Sequence, residues 1–250
     1  MSLESASTMP LDIGEVLSDT FAVIGRTFIV LANVAVMFIA IPTVVRIAGV
    51  ILTPLSPVFG LLTMLGGLAT GVGMLLAYGA IFQLAMQDLH GQSVATDVMI
   101  KTALGKFWPL LGLALLLGLG VVAGAVLLIV PGVILALAWS VAMPALVLED
   151  RGVFDSFRRS AALTRRKRWS IFLLFFLVSL VSLIVQVVLL AVFGGFHELL
   201  SREPSITATV LTSLFSVVTI PFGAVMSTAL FNLLRGKEGY GAEAVAEVFA

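Results

Sequence analysis

Long apolar runs dominate the chain, and the informative quantity is the length of each window that contains no Asp, Glu, Lys or Arg. These windows cover 27–45, 47–87, 107–148, 169–196 and 204–234. A hydrocarbon core of about 30 Å is crossed by roughly 20 helical residues. The window 107–148 would run about 63 Å as a single helix, and Pro131-Gly132 falls at its middle. It therefore reads as two crossings joined by a tight turn. In 47–87, Pro54 and Pro57 interrupt any helix and leave one span. The pattern predicts six transmembrane helices, at about 27–51, 59–86, 108–130, 132–149, 169–194 and 206–234.

A different periodicity precedes each odd-numbered span. In IGEVLSDTFAVIGRTF, Ile13, Val16, Leu17, Phe21 and Ile24 share one face, opposite Glu15, Ser18 and Asp19. VATDVMIKTALGKFW sets Val98, Met99, Thr102 and Ala103 against Asp97 and Lys101. GVFDSFRRSAALTRRKRW sets Phe154, Phe157 and Ala161 against Asp155, Arg158 and Arg159. Apolar stripes of this spacing predict amphipathic helices lying in the plane of the membrane surface. The even-numbered spans end alike, in AIFQLAMQDLHG, AMPALVLEDRG and ALFNLLRGKEG. The chain thus reads as an all-α integral membrane protein, a single membrane domain over 1–250. It is built from three units of interfacial helix plus transmembrane hairpin, at 11–91, 92–152 and 153–239.

Composition agrees: 60% of residues are hydrophobic and 11% charged, against about 45–50% and about 25% in soluble domains. Six spans put both termini and the loops 87–107 and 150–168 on one side. That side holds twelve of the fourteen Lys and Arg, leaving Arg46 and Arg202 for the other. Such a bias predicts cytoplasmic termini. Six cations, Arg158, Arg159, Arg165, Arg166, Lys167 and Arg168, abut the span that begins at Trp169. They read as a topology signal and a contact for anionic phospholipid head groups on the cytoplasmic leaflet. A nucleic-acid surface would need stacking aromatics spread through a soluble basic face, and the sequence has none. The absence of Cys excludes disulfides and thiolate metal sites. The start MSLESASTMPLDIGE lacks the basic and apolar regions of a cleaved signal peptide.

The segment LIVPGVILALAWSVAMPALVLEDRGVFDSFRRSAALTRRKRWSIF carries a resemblance. Its Pro-Gly turn, Trp139, Pro144, acidic pair, Ser-Phe-x-Arg-Ser and basic run before Trp169 are similar to the membrane domain fused to some glycerophosphodiester phosphodiesterases. They also resemble the YciC-like bacterial inner-membrane family, as does the opening LDIGEVLSDTFAVIGRTF. The resemblance implies a multi-pass protein of the bacterial inner membrane with a lipid connection. It does not carry phosphodiesterase activity, because no part of the chain corresponds to the soluble catalytic barrel of those enzymes.

Catalytic chemistry has little to stand on. His90 and His197 fall in loops on opposite sides, and no HExxH, phosphate-binding Gly loop or GxSxG occurs. No catalytic residue, metal site or cofactor is implied. Polar residues within spans are costly and mark function or helix pairing. Here they are Asn33, Arg46, Gln83, Gln186 and Asn232, with Gln83 and Asn232 near equivalent ends of the second and sixth spans. Glu149 and Asp150 are candidates for contact with a cation or lipid amine, or for pairing with Arg158 or Arg159. Gly67-x-x-x-Gly71 and Gly120-x-x-x-Gly124 permit close helix approach, within the chain or in a homo-oligomer. Pro42, Pro131, Pro144 and Pro221 predict bent or broken spans of the kind that border cavities. The leading expectation is a non-enzymatic protein that engages or organises membrane lipid and supports envelope homeostasis. A small-molecule or lipid transporter comes next, then an intramembrane lipid-modifying enzyme.

Overall fold

The structure is a computed structural model that describes residues 11–92, 96–127, 129–165, 167–194 and 206–249, the side chains of 96, 127, 129 and 237–249 excepted. Arg166, His197, Arg202 and the Lys237 side chain lie outside the described residues. Among the described residues every regular element is helical. Helix α1, Ile13–Ala35, continues through a π-helical turn, Val36–Ala40, into α2, Ile41–Leu52. A short 3₁₀ turn leads into α3, Gly60–Leu89, and then come α4, Thr96–Gly105, and α5, Phe107–Leu127. The fourth span is divided into α6, Ile129–Ala138, and α7, Ala142–Leu148. Helix α8, Val153–Thr164, precedes the fifth span, α9, Arg168–Phe193, and α10, Ile206–Phe249, carries the sixth. Among the described residues six helical segments are long and apolar enough to cross a bilayer, and they coincide with the six predicted spans.

The boundaries have local causes. Asp12 caps α1, its Oδ1 accepting from the N–H groups of Gly14 at 2.9 Å and Glu15 at 3.3 Å. The backbone leaves helical geometry at Thr27, φ −108° and ψ 16°, and resumes it at once in the first span. The amphipathic opening and the span are therefore one kinked helix, and the kink falls where the apolar window begins. Pro131-Gly132 is not the hairpin turn, because both residues lie within α6, with Pro131 in its first helical turn. A proline is tolerated there, since N–H groups in the first turn have no intrahelical partner.

Pro42 explains the π-helical turn. It has no N–H to offer the Phe38 carbonyl four residues back, and its ring crowds that oxygen. The ladder slips by one residue, so the Ile41 N–H donates to Val36 O. The displaced Phe38 carbonyl lies against Gly73 of α3, where a Cβ would stand 1.8 Å from the oxygen. Gly49 and Gly66 make similar approaches, to Thr63 and to the Arg46 backbone. These three glycines let α2 and α3 form a tight hairpin. Gly67 and Gly71 face open space, while Gly120 and Gly124 meet Trp139 and Gly132 across the α5–α6 hairpin.

The core lies toward one end of the bundle. Most of it comes from the closing halves of the even-numbered spans, Leu75 to Met86, Ala138 to Val147 and Ala224 to Leu234, joined by residues such as Ile39, Leu110 and Ile171 of the odd-numbered ones. Each helix that precedes an odd-numbered span docks on the end of an even-numbered one. Helix α4 packs on α3, α8 on α7, and the start of α1 on α10. Met99 and Ala103 of α4 are buried, with Ala103 close over Gly79. Helix α8 departs from its predicted face: Ser156, Ser160, Leu163 and Thr164 are buried, while Phe154 is exposed. It is docked by a hydroxyl stripe, whose reason lies in the broken fourth span.

Gly73→Ala is expected to destabilise the protein by about 1–3 kcal/mol through overpacking, read as a lower midpoint of thermal unfolding in detergent. Gly67→Ala, with open space at its Cβ, should leave that midpoint unchanged.

Candidate functional site: a lateral cavity beside the fifth span

Pro144 sets up the site. It supplies no N–H to the Ser140 carbonyl four residues back, and the helix opens at Trp139–Val141. Freed backbone groups inside a bilayer need partners from the protein. Ser227 of α10 donates to the Ser140 carbonyl at 3.2 Å. Ser160 Oγ donates to the Ala138 carbonyl at 2.8 Å and accepts from the Val141 N–H at 3.3 Å. Thr164 Oγ1 lies 3.3 Å from the same Ala138 carbonyl. The buried hydroxyl stripe of α8 thus completes the backbone of the broken span, which is why that face is turned inward, with Phe157 half-buried beside it and Phe154 left outside.

Beside the break is a cavity of about 610 Å³, within the range of about 300–1,000 Å³ usual for small-molecule sites. Its aromatic wall is Tyr78, Phe82, Trp139, Phe172, Phe175 and Phe176. Ser140, Ser179 and Ser227 supply hydroxyls, and Gly223 of α10 gives room. Tyr78 stacks on Phe82 at 5.6 Å, Phe172 on Phe176 at 5.9 Å, and Trp139 leans on Phe157 of α8 at 4.6 Å. The outer wall is α9, of whose most apolar window only 6% is buried, against 44% for the fourth and sixth spans. That helix packs on α6 and α10. The cavity is therefore lateral, bounded on one side by the least buried span. The Ser140 Oγ is buried in its wall with no hydrogen-bond partner.

The sequence candidates fall into three groups. Glu149 and Asp150 are held in ion pairs at the end of α7. Glu149 receives Arg159 through Nε at 3.0 Å and Nη2 at 3.1 Å, and also Arg151. Burial alone would raise the Glu149 carboxyl, but hydrogen bonds and charge from Arg159 and Arg151 hold it below its ordinary value. Asp150 pairs with Lys106 and has a positive φ of 52°, a conformation that Asp tolerates better than most residues. Arg26 closes the first hairpin in the same way on Asp88, at 2.7 Å. Arg158 turns to Asp155 at 3.7 Å and is exposed, as is Arg165. Lys167 and Arg168 are half-buried, and Arg168 Nε has no partner.

Gln83 and Asp150 meet in a second, open hollow of about 460 Å³ with Lys101, Thr102, Gly105 and Lys106. Asn232 is half-buried away from both hollows and Asn33 is exposed. Arg46 donates to Ser213 of α10, linking the first and sixth spans. Neither Pro144 nor Pro221 lines the lateral cavity: Pro144 stands one turn after its Ser140 and Pro221 two residues before its Gly223, while Pro42 and Pro131 serve the hairpins. None of the cavity wall was among the candidate site residues. Two signals in the sequence point to it: Phe172, Phe175 and Phe176 at i, i+3 and i+4, and Ser156, Ser160 and Thr164 at i, i+4 and i+8. Among the described residues no group of His, Asp and Glu is placed to hold a metal ion.

Six membrane-length helices around a buried core, with a lateral apolar cavity, define a multi-pass helical membrane protein. Residues 91–234 match the family described as Domain of unknown function (DUF7847), and the chain belongs to that family. The matched region holds all of the cavity wall except Tyr78 and Phe82. No curated protein and no solved structure matches the chain. Nothing in these matches links it to glycerophosphodiester phosphodiesterases or to the YciC-like family.

Two outcomes follow from the site's construction. Ser160→Ala takes from the Val141 N–H its side-chain acceptor and leaves the Ala138 carbonyl with Thr164 alone, and should lower stability by about 1–3 kcal/mol in chemical unfolding. For Glu149, the folded value lies below the unfolded one, so its contribution is complete above the ordinary range of about 4.3 and is lost as pH falls through the depressed value. The gap in unfolding midpoint between the parent and Glu149→Gln should be widest at neutral pH and close on acidification.

Proposed function

We propose that this chain is a non-enzymatic membrane protein that takes the acyl portion of a membrane lipid into the cavity between α9 and the rest of the bundle. The observation that carries the reading is the cavity itself: apolar, aromatic-walled and bordered by the least buried span. Aromatic walls suit flexible hydrocarbon through dispersion and area burial, and a lateral position admits a ligand from the bilayer without passage through water.

A transporter for polar solutes would need a polar passage at mid-depth. Asn33 faces outward, and Gln83 and Asn232 do not converge, which favours the lipid reading. An enzyme would need clustered titratable groups, and of the cavity wall only Tyr78 titrates. We place the protein in the bacterial inner membrane with both termini and the basic residues 158–168 on the cytoplasmic side, in accord with the distribution of Lys and Arg. The likeness of residues 128–172 to membrane modules attached to lipid-acting enzymes points the same way. The recurring docking of α1, α4 and α8 on the even-numbered spans supports descent from three related units. Support of envelope homeostasis is the physiological setting this reading fits.

Gly223→Phe tests the reading, because a Cβ at Gly223 meets nothing within 4 Å and a ring there fills the cavity. Native mass spectrometry should show the parent carrying lipid and the variant bare, with similar unfolding midpoints. Lipid retained by the variant at the parental level would overturn it.

A further inference from the structure

Which lipid the cavity takes follows from two polar atoms without partners. We propose that the ligand is a phospholipid of net negative charge, its chain in the aromatic cavity and its phosphate held by Arg168. This rests on the reading of the cavity as a lipid site.

Arg168 begins α9 and stands one helical turn before Phe172, so it shares a face with Phe172, Phe175, Phe176 and Ser179 of the cavity wall. Arg168 does not itself line the cavity; helical phase sets it one turn beyond the aromatic wall, on the same side of α9. Its Nε is buried and has no hydrogen-bond partner, which is costly for a permanent cation beside lipid. A phosphate oxygen is the acceptor that position lacks, and guanidinium–phosphate bonds are charge-assisted. Of the other cations in the run, Arg159 is held by Glu149 and Arg158 turns to Asp155, while Arg165 is exposed. The second orphan is the Ser140 Oγ in the cavity wall. One unpartnered group a helical turn beyond the aromatic wall and another within it fit a ligand with polar groups at two depths. A diacyl phospholipid has these, in its phosphate and its ester carbonyls. A fatty acid, whose polar group is only at its end, does not.

Trp139 is a built-in reporter because it lies in the cavity wall, whereas Trp108 and Trp169 are exposed. With Trp108→Phe and Trp169→Phe in place, the full chain is reconstituted in vesicles containing phosphatidylglycerol or phosphatidylcholine with brominated chains. Trp139 should be quenched at an about fivefold lower fraction of the anionic lipid, the preference expected of one basic side chain at the surface. Arg168→Gln should abolish that preference, Arg168→Lys should keep most of it, and Arg165→Gln should leave it intact. Equal quenching by the two lipids in the parent, or a preference that survives Arg168→Gln, overturns the head-group assignment and leaves the cavity reading standing. Full displacement by oleate alone overturns the phospholipid assignment. No quenching by either lipid overturns the cavity reading and this inference with it.

Discussion

The structure depends on one constraint: a backbone carbonyl released inside a bilayer has no water to turn to, so the protein must meet it. Prolines in the spans release such carbonyls, and the surrounding elements are arranged around the consequences. Pro42 displaces the Phe38 carbonyl, and Gly73 makes room for it. Pro144 releases the Ser140 carbonyl, and Ser227 reaches across from the sixth span to meet it. The same break calls in Ser160 and Thr164, and these fix where α8 docks. The cavity lies beside this repaired break, so its position follows from the proline.

Charge is arranged by a second rule. Asp88, Glu149 and Asp150 sit at the ends of even-numbered spans and are met by Arg26, Arg159 and Lys106 at the starts of odd-numbered spans or in the helix between. These contacts stitch neighbouring spans together at the end where the core is best packed. They also divide the basic residues into two kinds. Arg26, Lys106 and Arg159 hold the bundle together, whereas Arg165 is turned to the surroundings.

Span number and placement were legible because bilayer thickness imposes a length on every apolar window, and that length survives any detail of packing. The helices before the odd-numbered spans were legible too, since their carboxylates and apolar positions alternate with helical period. What the sequence hid was direction. Helix α8 offers two stripes, one of phenylalanines and one of small hydroxyls, and burial of the phenylalanines is the ordinary expectation in water. Beside a broken span the hydroxyls are worth more inside, and Phe154 is left facing out. The glycines show the same ambiguity: Gly67 and Gly71 have the familiar spacing, yet Gly66 and Gly73 make the close approaches. Candidate site residues were chosen for polarity, so they led to the ion pairs and missed a cavity made of Phe, Trp and Tyr. In a chain this apolar, one more aromatic carries little information until its neighbours are known.

The bond between Ser227 and Ser140 joins residues 87 positions apart, and this bears on how the protein is made. The ion pairs Arg26–Asp88 and Lys106–Asp150 each lie within one hairpin and can close as soon as that hairpin has left the ribosome. The fourth span inserts earlier than its hydroxyl donor, and one carbonyl stays unanswered until the last span arrives. Assembly is thereby ordered: this contact closes only when the sixth span comes to lie beside the fourth.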